Sequence, residues 1–317
     1  MTTVIRVRQT GAPSVLVPET DSITAPGAGR VRLRHDAIGV NFVDTMFRAG
    51  VYPMVLPFVG GVEGAGKITE AGPGVTDFAV GDRVAYFFAP GAYAEERLID
   101  IAPLVRLPDD IPADVAASLL TKGITAWLAV RELFPVKAGN VVLVQGATGG
   151  VGTLVTRWAK SLGATVIAVG SVAKLARIAD EANHVLASDA PDLAGRILAV
   201  APEGVDVVYE FVGKATFAAS AAAIKDGGSI FTIGAASGAP DVQHESLAAR
   251  RVTVTQASAA ALVKGPMLQQ AAAEVFGLWQ QGVFGDIELH RYPLTEAATA
   301  HADIAARRIG PNPVLIP

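Results

Sequence analysis

The sequence contains no cysteine. That absence removes disulfides, thiolate nucleophiles and every zinc site that needs a thiolate ligand. It fits a reducing compartment, so a cytoplasmic location is the expectation. Charge is also sparse: 18% of residues are charged, the formal net charge is −4, and no Lys/Arg cluster reaches five residues. Such a chain gives a phosphate backbone or an anionic bilayer little to hold, which argues against nucleic acid and membrane partners. No uninterrupted apolar run approaches the roughly 18 residues of a membrane span. The start, Met1-Thr2-Thr3-Val4-Ile5-Arg6, lacks the apolar core of a signal peptide.

What is present is core. Hydrophobic residues make up 51% of the 317, and a prior of roughly 150 residues per domain suggests two domains. Residues 1 to about 120 read as β-rich. Arg30-Val31-Arg32-Leu33-Arg34 alternates with the period of a half-buried strand. Short strand candidates recur at Gly66–Thr69, Gly81–Tyr86 and Ala92–Ala94, with turn signals at Pro53, Pro57, Pro73-Gly74 and Pro90-Gly91 between them. The pattern is that of a small barrel or bent sheet.

From about Asp114 the texture changes to α/β. Val141-Val142-Leu143-Val144 is wholly apolar, as expected of a parallel strand covered on both faces. A helix follows whose apolar positions Val151, Leu154, Val155, Trp158 and Leu162 share one face, with Gly163 as its C-terminal stop. Strands are expected at Thr165–Val169, Val205–Tyr209 and Ser229–Ile233, giving a doubly wound parallel sheet. After about residue 257 the pattern mixes again, with helices near Met267–Gln281 and Thr295–Arg308 and a terminal strand Val314–Ile316. The expected division is therefore 1–121 with 258–317 as one domain, the tail folding back, and 122–257 as the other.

The turn Gly146-Ala147-Thr148-Gly149-Gly150-Val151-Gly152 joins the apolar strand to the amphipathic helix. A diphosphate needs backbone N–H groups and a helix N-terminus aimed at it, with no side chain in the way. Glycine at Gly149, Gly150 and Gly152 supplies that, and Ala147 replaces the usual first glycine with another small residue. The next strand ends in Gly170-Ser171-Val172-Ala173-Lys174, with no acid to hold ribose hydroxyls and with a cation and a hydroxyl that suit a 2′-phosphate. Arg177 could add to this. Lys174 and Arg177 can also be read as a solvated helix face.

These residues, with Ala37-Ile38-Gly39-Val40-Asn41-Phe42-Val43-Asp44, Gly50-Val51-Tyr52-Pro53, Val80-Gly81-Asp82-Arg83-Val84, Trp158–Ala164 and the ending Leu315-Ile316-Pro317, resemble the zinc-free quinone oxidoreductases. Those form the zeta-crystallin-like branch of the medium-chain dehydrogenase/reductase superfamily. The resemblance implies a GroES-like β-barrel domain and an inserted Rossmann-like domain that binds NADPH. It also implies a cleft between the two and a homodimer paired through the Rossmann sheets. It puts Asn41 near the nicotinamide, and Gly170, Ser171, Lys174 and Ser188 at the 2′-phosphate. Thr125, Ala147, Thr148, Gly149, Gly150, Val151, Val212, Gly234, Ala235 and Ala236 would lie along the rest of the cofactor. Three positions depart: Met46 and Ser188 stand where the family has tyrosines, and Ile233 where it often has an aromatic residue.

In the zinc alcohol dehydrogenases the resembling segments carry a Cys and a Gly-His-Glu triplet as ligands. Here they read Gly39-Val40-Asn41 and Gly61-Val62-Glu63, and none of the five histidines pairs with another at ligand spacing, so no metal is expected. Without a Lewis acid a simple ketone is a difficult substrate. A quinone or enone gives a delocalised anion that hydrogen-bond donors can stabilise. Asn41 and Tyr52 are the candidate donors. Asn41 also reads as a turn residue, Tyr52 as barrel packing, Asp44 as the N-cap of the helix beginning at Thr45, and Glu63 as structural.

The activity expected is thus NADPH-dependent quinone reduction. An enone, alkenal or 2-enoyl thioester reductase on the same scaffold and a non-catalytic NADPH-binding protein are the alternatives. The short-chain reductase class is excluded, because it needs Tyr-x-x-x-Lys and none of the five tyrosines is followed by lysine at that spacing.

Overall fold

The computed structural model of the chain describes residues 1–317. The chain divides into two compact units, Met1–Thr121 with Lys264–Gln280 and Gly285–Pro317, and Lys122–Val263 with Gln281–Phe284. The second unit extends past the change of pattern at residue 257.

The first unit begins with β1 (Thr2–Val7), β2 (Leu16–Asp21), β3 (Arg30–Gly39), α1 (Phe42–Ala49), β4 (Phe58–Val59) and β5 (Glu63–Ala71). It continues through β6 (Arg83–Tyr86), β7 (Glu96–Asp100) and β8 (Leu104–Arg106) into the long helix α2 (Ala113–Trp127). β3 is its spine. The period-two alternation puts Val31, Leu33, His35 and Ala37 inside, while Arg34 and Asp36 face solvent. β3 pairs antiparallel with both β5 and β7, and β1 sits between β2 and β4 in a separate three-stranded sheet. Ile5, Leu33, Ile38, Ile68, Tyr86, Tyr93 and Leu104 meet in one core.

Two histidines are buried in this unit. His35 donates from Nδ1 to the Ala94 carbonyl at 2.7 Å and accepts from the Tyr86 hydroxyl at 2.8 Å. His301 lies 2.8 Å from the Tyr93 hydroxyl, which donates to Asp44 Oδ2 at 3.2 Å. Burial pushes each imidazole down to about 3, so both rings are neutral.

The segment Ala92–Ala94, expected as a strand, makes one bridge only, between Ala94 and Val4. The Tyr93 backbone is spent elsewhere, donating to Gly60 O and accepting from Ile5 N. Its ring fills the space over two glycines; an added Cβ at Gly61 would come within 2.2 Å of it.

α2 continues through a π-helical turn, Leu128–Leu133. The whole helix, Ala113–Leu133, is long and apolar enough to cross a bilayer, which the sequence reading did not anticipate. Yet 78% of its most apolar window is buried inside the fold, as in a core helix. The irregular turn leaves carbonyls without their usual helical partners. Tyr209 answers this by donating to Ala129 O at 2.8 Å and Phe134 O at 3.2 Å.

The second unit holds β9 (Val141–Gln145), α3 (Gly150–Ser161), β10 (Thr165–Gly170), β11 (His184–Ala187) and α4 (Leu193–Val200). Then come β12 (Val205–Glu210), α5 (Phe217–Ala223), β13 (Ile224–Thr232), α6 (His244–Ala249), β14 (Thr253–Gln256) and α7 (Ala259–Leu262). The six strands are all parallel, in the order β11-β10-β9-β12-β13-β14. That is the doubly wound order in which the first strand and the fourth are neighbours and the chain reverses direction across the sheet. Val142, Leu143 and Val144 are fully buried, as an apolar run covered on both faces requires. On α3, Leu154, Val155 and Trp158 face the sheet, and Gly163, at φ +83°, follows the cap Leu162 in the left-handed conformation that ends the helix. β11 and β14, each four residues long with little buried apolar surface, lie at the sheet's two edges and left no clear pattern in the sequence.

The chain closes in the first unit with α8 (Pro266–Gln280), β15 (His290–Pro293), α9 (Ala297–Ala305) and β16 (Pro313–Ile316), the last pairing with β3.

The neutral histidines make a testable prediction. The unfolded state binds protons at these rings below about pH 6.5 and the folded state does not until about 3. Stability is therefore full above pH 6.5 and falls as the pH drops, by up to about 1.4 kcal/mol per pH unit for each ring. NMR of His35 and His301 should show neutral rings at pH 5, and urea unfolding should show the loss setting in below pH 6.5. Either ring titrating between pH 5 and 7 in the folded protein contradicts this.

Candidate functional site

In the second unit the reversal of strand order opens a gap between the ends of β9 and β12, and the glycine turn stands over it. Gly146 takes φ +77°, and an added Cβ there would lie 3.1 Å from a Val212 methyl carbon. Gly152 allows the closest approach: a Cβ would sit 2.3 Å from Gly146 O, so only glycine fits. Ala147 is fully buried with its N–H on Val169 O at 2.9 Å, which accounts for a side chain being tolerated there. The helix cap is Gly149, which has no side-chain oxygen, so no side chain satisfies the first-turn N–H groups of α3. A twelve-residue helix with a bare glycine N-terminus at a strand-order reversal fits the diphosphate of a dinucleotide.

The ends of β10 and β11 add to this rim. A Cβ on Gly170 would meet Thr148 Cγ2 at 2.5 Å, so the first turn and the second strand's end are in contact. Ser188 N–H donates to Gly170 O at 2.8 Å, which sets Ser188 beside Gly170 and Ser171. Val172–Ile178 is a 3-10 helix rather than an α-helix; it carries Lys174, half-buried, and Arg177, exposed. No carboxylate occurs between Gly170 and Ile178. Thr148, Gly170, Ser171, Lys174 and Ser188 are thus gathered at one corner of the sheet.

On the other side of the gap, Ser237 N donates to Val212 O at 2.8 Å and Ile233 N to Glu210 O at 2.9 Å. A Cβ at Gly234 would come within 2.6 Å of Phe211 O. The loops after β12 and β13, carrying Val212, Gly234, Ala235 and Ala236, therefore lie against each other. Thr125 lies on α2, half-buried. Two buried polar residues at the strand tips, Gln145 and Glu210, escaped the sequence reading. The available signal was a polar residue ending each of two otherwise apolar strands, Val141–Gln145 and Val205–Glu210.

In the first unit Asn41, not Asp44, is the N-cap of α1; its φ of −111° and ψ of 155° are the last extended values before the helix. Asp44 stands three residues in, and its carboxylate reaches back to the Asn41 N–H at 2.7 Å. The expected cap assignment is corrected accordingly: the helix starts at Phe42 because this reciprocal arrangement satisfies its entry. Asn41 Nδ2 donates to Glu63 Oε2 at 2.7 Å, and Glu63 Oε1 accepts the Thr121 N–H at 2.6 Å. A carboxylate only accepts, so this contact fixes which end of the Asn41 amide is nitrogen. One Nδ2 hydrogen is spent on Glu63 and the other remains.

Tyr52 follows the Gly50 that ends α1. The residue is 43% exposed, its ring stands edge-on to Phe47 at 5.9 Å, and its hydroxyl has no partner within the chain. Asn41 and Tyr52 therefore stand at opposite ends of an eight-residue helix, roughly 12 Å apart along its axis. Met46 is half-buried on that helix, and Val62 is buried. No three His, Cys, Asp or Glu side chains are grouped as a metal ion would need.

Two family models match the chain: alcohol dehydrogenase GroES-like domain over residues 27–109 and zinc-binding dehydrogenase over residues 150–274. The chain is 36% identical to a quinone oxidoreductase of Pseudomonas aeruginosa, over 97% of either protein. It is 35% identical to a 2-haloacrylate reductase of Burkholderia sp., over 98% of either. The crystal structure of Escherichia coli quinone oxidoreductase complexed with NADPH superposes with a TM-score of 0.94 at 30% identity, covering 100% of both chains.

The contact between Gly170 and Thr148 can be tested by a paired substitution. Gly170→Ala should lower stability by about 1–2 kcal/mol, because the new methyl overlaps Thr148 Cγ2. Adding Thr148→Ser, which removes that methyl, should recover most of the loss in denaturant unfolding. Simple additivity of the two changes would refute the contact.

Proposed function

The chain belongs to the zinc-free, zeta-crystallin-like quinone oxidoreductases of the medium-chain dehydrogenase/reductase superfamily, and on that footing we propose that it is a cytoplasmic NADPH:quinone oxidoreductase. The observation that carries the cofactor half of this reading is the glycine cradle at the β9–β12 reversal, where a Cβ on Gly152 would strike Gly146 O at 2.3 Å. The acceptor half rests on the relatives. NADPH, when bound, supplies a hydride from nicotinamide C4 to the acceptor, so that a quinone and one proton become a hydroquinone.

The chain's own residues then have separable tasks. Thr148, Gly150 and Val151 offer backbone N–H groups to the diphosphate, and Ala147 and Gly149, whose N–H groups bond to Val169 O and Gly146 O, offer clearance. Ser171 and Lys174, with Gly170 and Ser188 beside them, take the 2′-phosphate. Val212, Gly234, Ala235 and Ala236 present a small-residue wall that lets the cofactor lie close, and Thr125 adds a hydroxyl. Asn41 presents its free Nδ2 hydrogen where negative charge gathers on the acceptor oxygen, and Glu63 keeps that amide from turning. The Tyr52 hydroxyl, free of internal partners, orients the acceptor or passes it a proton. A delocalised hydroquinone anion asks for no more than such donors, and no metal ligand set is required. We place the homodimer contact at the open edge of β14, whose outer side is unpaired.

A second reading is favoured by one observation, the 35% identity to a 2-haloacrylate reductase. A conjugated carbon–carbon double bond takes the same hydride and leaves the same kind of delocalised anion. NADPH oxidation should be followed with benzoquinones and naphthoquinones against 2-haloacrylates, enones and enoyl thioesters. Quinones should give the highest kcat/KM by tenfold or more. Preference for the carbon–carbon double bonds selects the second reading, and tight NADPH binding with no acceptor consumed leaves a non-catalytic binder.

Two further outcomes are expected. Lys174→Ala should weaken NADPH binding roughly 10–100-fold and NADH binding little, because one charge-assisted hydrogen bond is worth about 1.5–3 kcal/mol. Equal losses for both dinucleotides would count against the 2′-phosphate role. Asn41→Ala and Tyr52→Phe should each lower kcat and still leave turnover, because holding two reactants in line supplies much of the rate. Abolition by either change, with NADPH binding intact, would make that residue indispensable and the geometric account wrong.

A further inference from the structure

Glu210 is fully buried at the tip of β12, and every group its side chain meets is a neutral donor. Oε1 accepts the backbone N–H groups of Val212 and Gly213, each at 2.9 Å, and the Thr216 hydroxyl at 2.8 Å. Oε2 accepts the Ser220 hydroxyl at 3.0 Å. Ser220 in turn accepts Gln145 Nε2 at 3.0 Å. Gln145 is the cross-strand partner of Glu210 and the residue immediately before Gly146. Two residues back on the same face, Leu143 and Val208 lie in an apolar core with Phe217. Burial raises the Glu210 carboxyl above its ordinary range, against the pull of these four hydrogen bonds.

An apolar residue at position 210 would leave the Val212 and Gly213 N–H groups and the Thr216 hydroxyl without this acceptor, so the carboxylate serves the loop beyond the strand as well as the strand itself. It ties together three things the sheet leaves separate: the tip of β9 that launches the glycine turn, the loop Phe211–Thr216, and the start of α5. The Glu210 backbone carbonyl adds the loop after β13, accepting Ile233 N at 2.9 Å and Gly234 N at 3.2 Å. We propose that Glu210 is a positioning residue for the dinucleotide, its carboxylate holding the β9 and β12 loops at the separation that NADPH needs, through Gln145 and Ser220 on one side and the Val212 and Gly213 N–H groups on the other. This rests on the cofactor reading above. Glu210 itself touches no reacting atom.

The test compares Glu210→Ala, Glu210→Gln and Ser220→Ala in the full chain. Three quantities are read: hydrogen exchange of the Val212 and Gly213 amides without cofactor, the Kd for NADPH, and kcat at saturating NADPH. Glu210→Ala should speed exchange at both amides tenfold or more and raise Kd tenfold or more, with kcat within about threefold. Glu210→Gln keeps the acceptor for both amides and should stay within about threefold of wild type in Kd. Ser220→Ala removes the hydrogen bond at Glu210 Oε2 and with it the link to Gln145, leaves the Oε1 bonds to both amides, and should raise Kd about threefold to fivefold without faster amide exchange. If Glu210→Ala does not fold, Ser220→Ala and Glu210→Gln decide. Faster exchange with unchanged Kd, or unchanged Kd in Ser220→Ala, overturns the role. So does a loss in kcat and stability together with no change in Kd, which marks Glu210 as structural. Failure of the wild-type chain to bind NADPH overturns the proposed function itself, whereas normal wild-type binding with insensitive variants overturns only this inference.

Discussion

Two parallel strands that depart in opposite directions across a sheet leave a gap between their tips. In this protein that gap, between β9 and β12, is the constraint on which the second unit's chemistry depends. The chain after β9 must turn sharply into α3 without a side chain in the way, hence Gly146 and Gly152. The chain after β12 must stay clear of that turn, hence the tight lacing of Phe211 and Val212 to the Gly234–Gly238 loop. The first turn of α3 is then left with N–H groups that nothing in its own cap satisfies. On the function proposed above, backbone geometry gives this corner its ligand-binding character and Lys174 and Ser171 select among ligands.

The first unit depends on a different economy, that of buried polar groups. Asn41, Asp44, Glu63, Tyr93 and His301 are all at or below 6% exposure. Four of them satisfy one another, Glu63 with the Asn41 amide and the Thr121 N–H, Asp44 with the Asn41 N–H and the Tyr93 hydroxyl, while His301 meets the Tyr93 hydroxyl through Nε2 and keeps Nδ1 without a partner. Leaving any such acceptor unmet inside the fold would cost about 1–3 kcal/mol. The same pairings orient Asn41. A candidate donor whose amide is pinned by a carboxylate is already arranged before any substrate arrives.

What the sequence made legible was what local chemistry determines. An apolar run of strand length, a glycine turn and a helix with its apolar face at steps of three and four all lie within Val141–Gly163, and each depends only on its neighbours. The cation at Lys174 and the missing acid could be read the same way. The parts that escaped depend on contacts far apart in the chain. Asn41 looks like a turn residue until its amide is seen to be engaged by Glu63, 22 residues on. Ala92–Ala94 looks like a strand until Tyr93 is seen to fill the space over Gly60 and Gly61. Gln145 and Glu210 have a shared purpose only once the strand order makes them neighbours. The edge strands β11 and β14 bury too little on either face to leave a periodic trace.

The last two residues of β12 face opposite ways, and each is fastened. Tyr209 is bonded to the irregular turn that ends the long helix, and Glu210 to the loop and α5 on the other face. A strand tip held from both sides behaves as a clamped beam: it can neither twist nor slide without breaking bonds in two layers at once. Whatever flexing accompanies ligand entry and exit must then be carried by the joints just beyond the clamp. Gly213, at φ +93°, is itself inside the clamp through its N–H on Glu210, so the first positive-φ joint outside it is Gly238 at φ +101°, where Lys214 N meets its carbonyl.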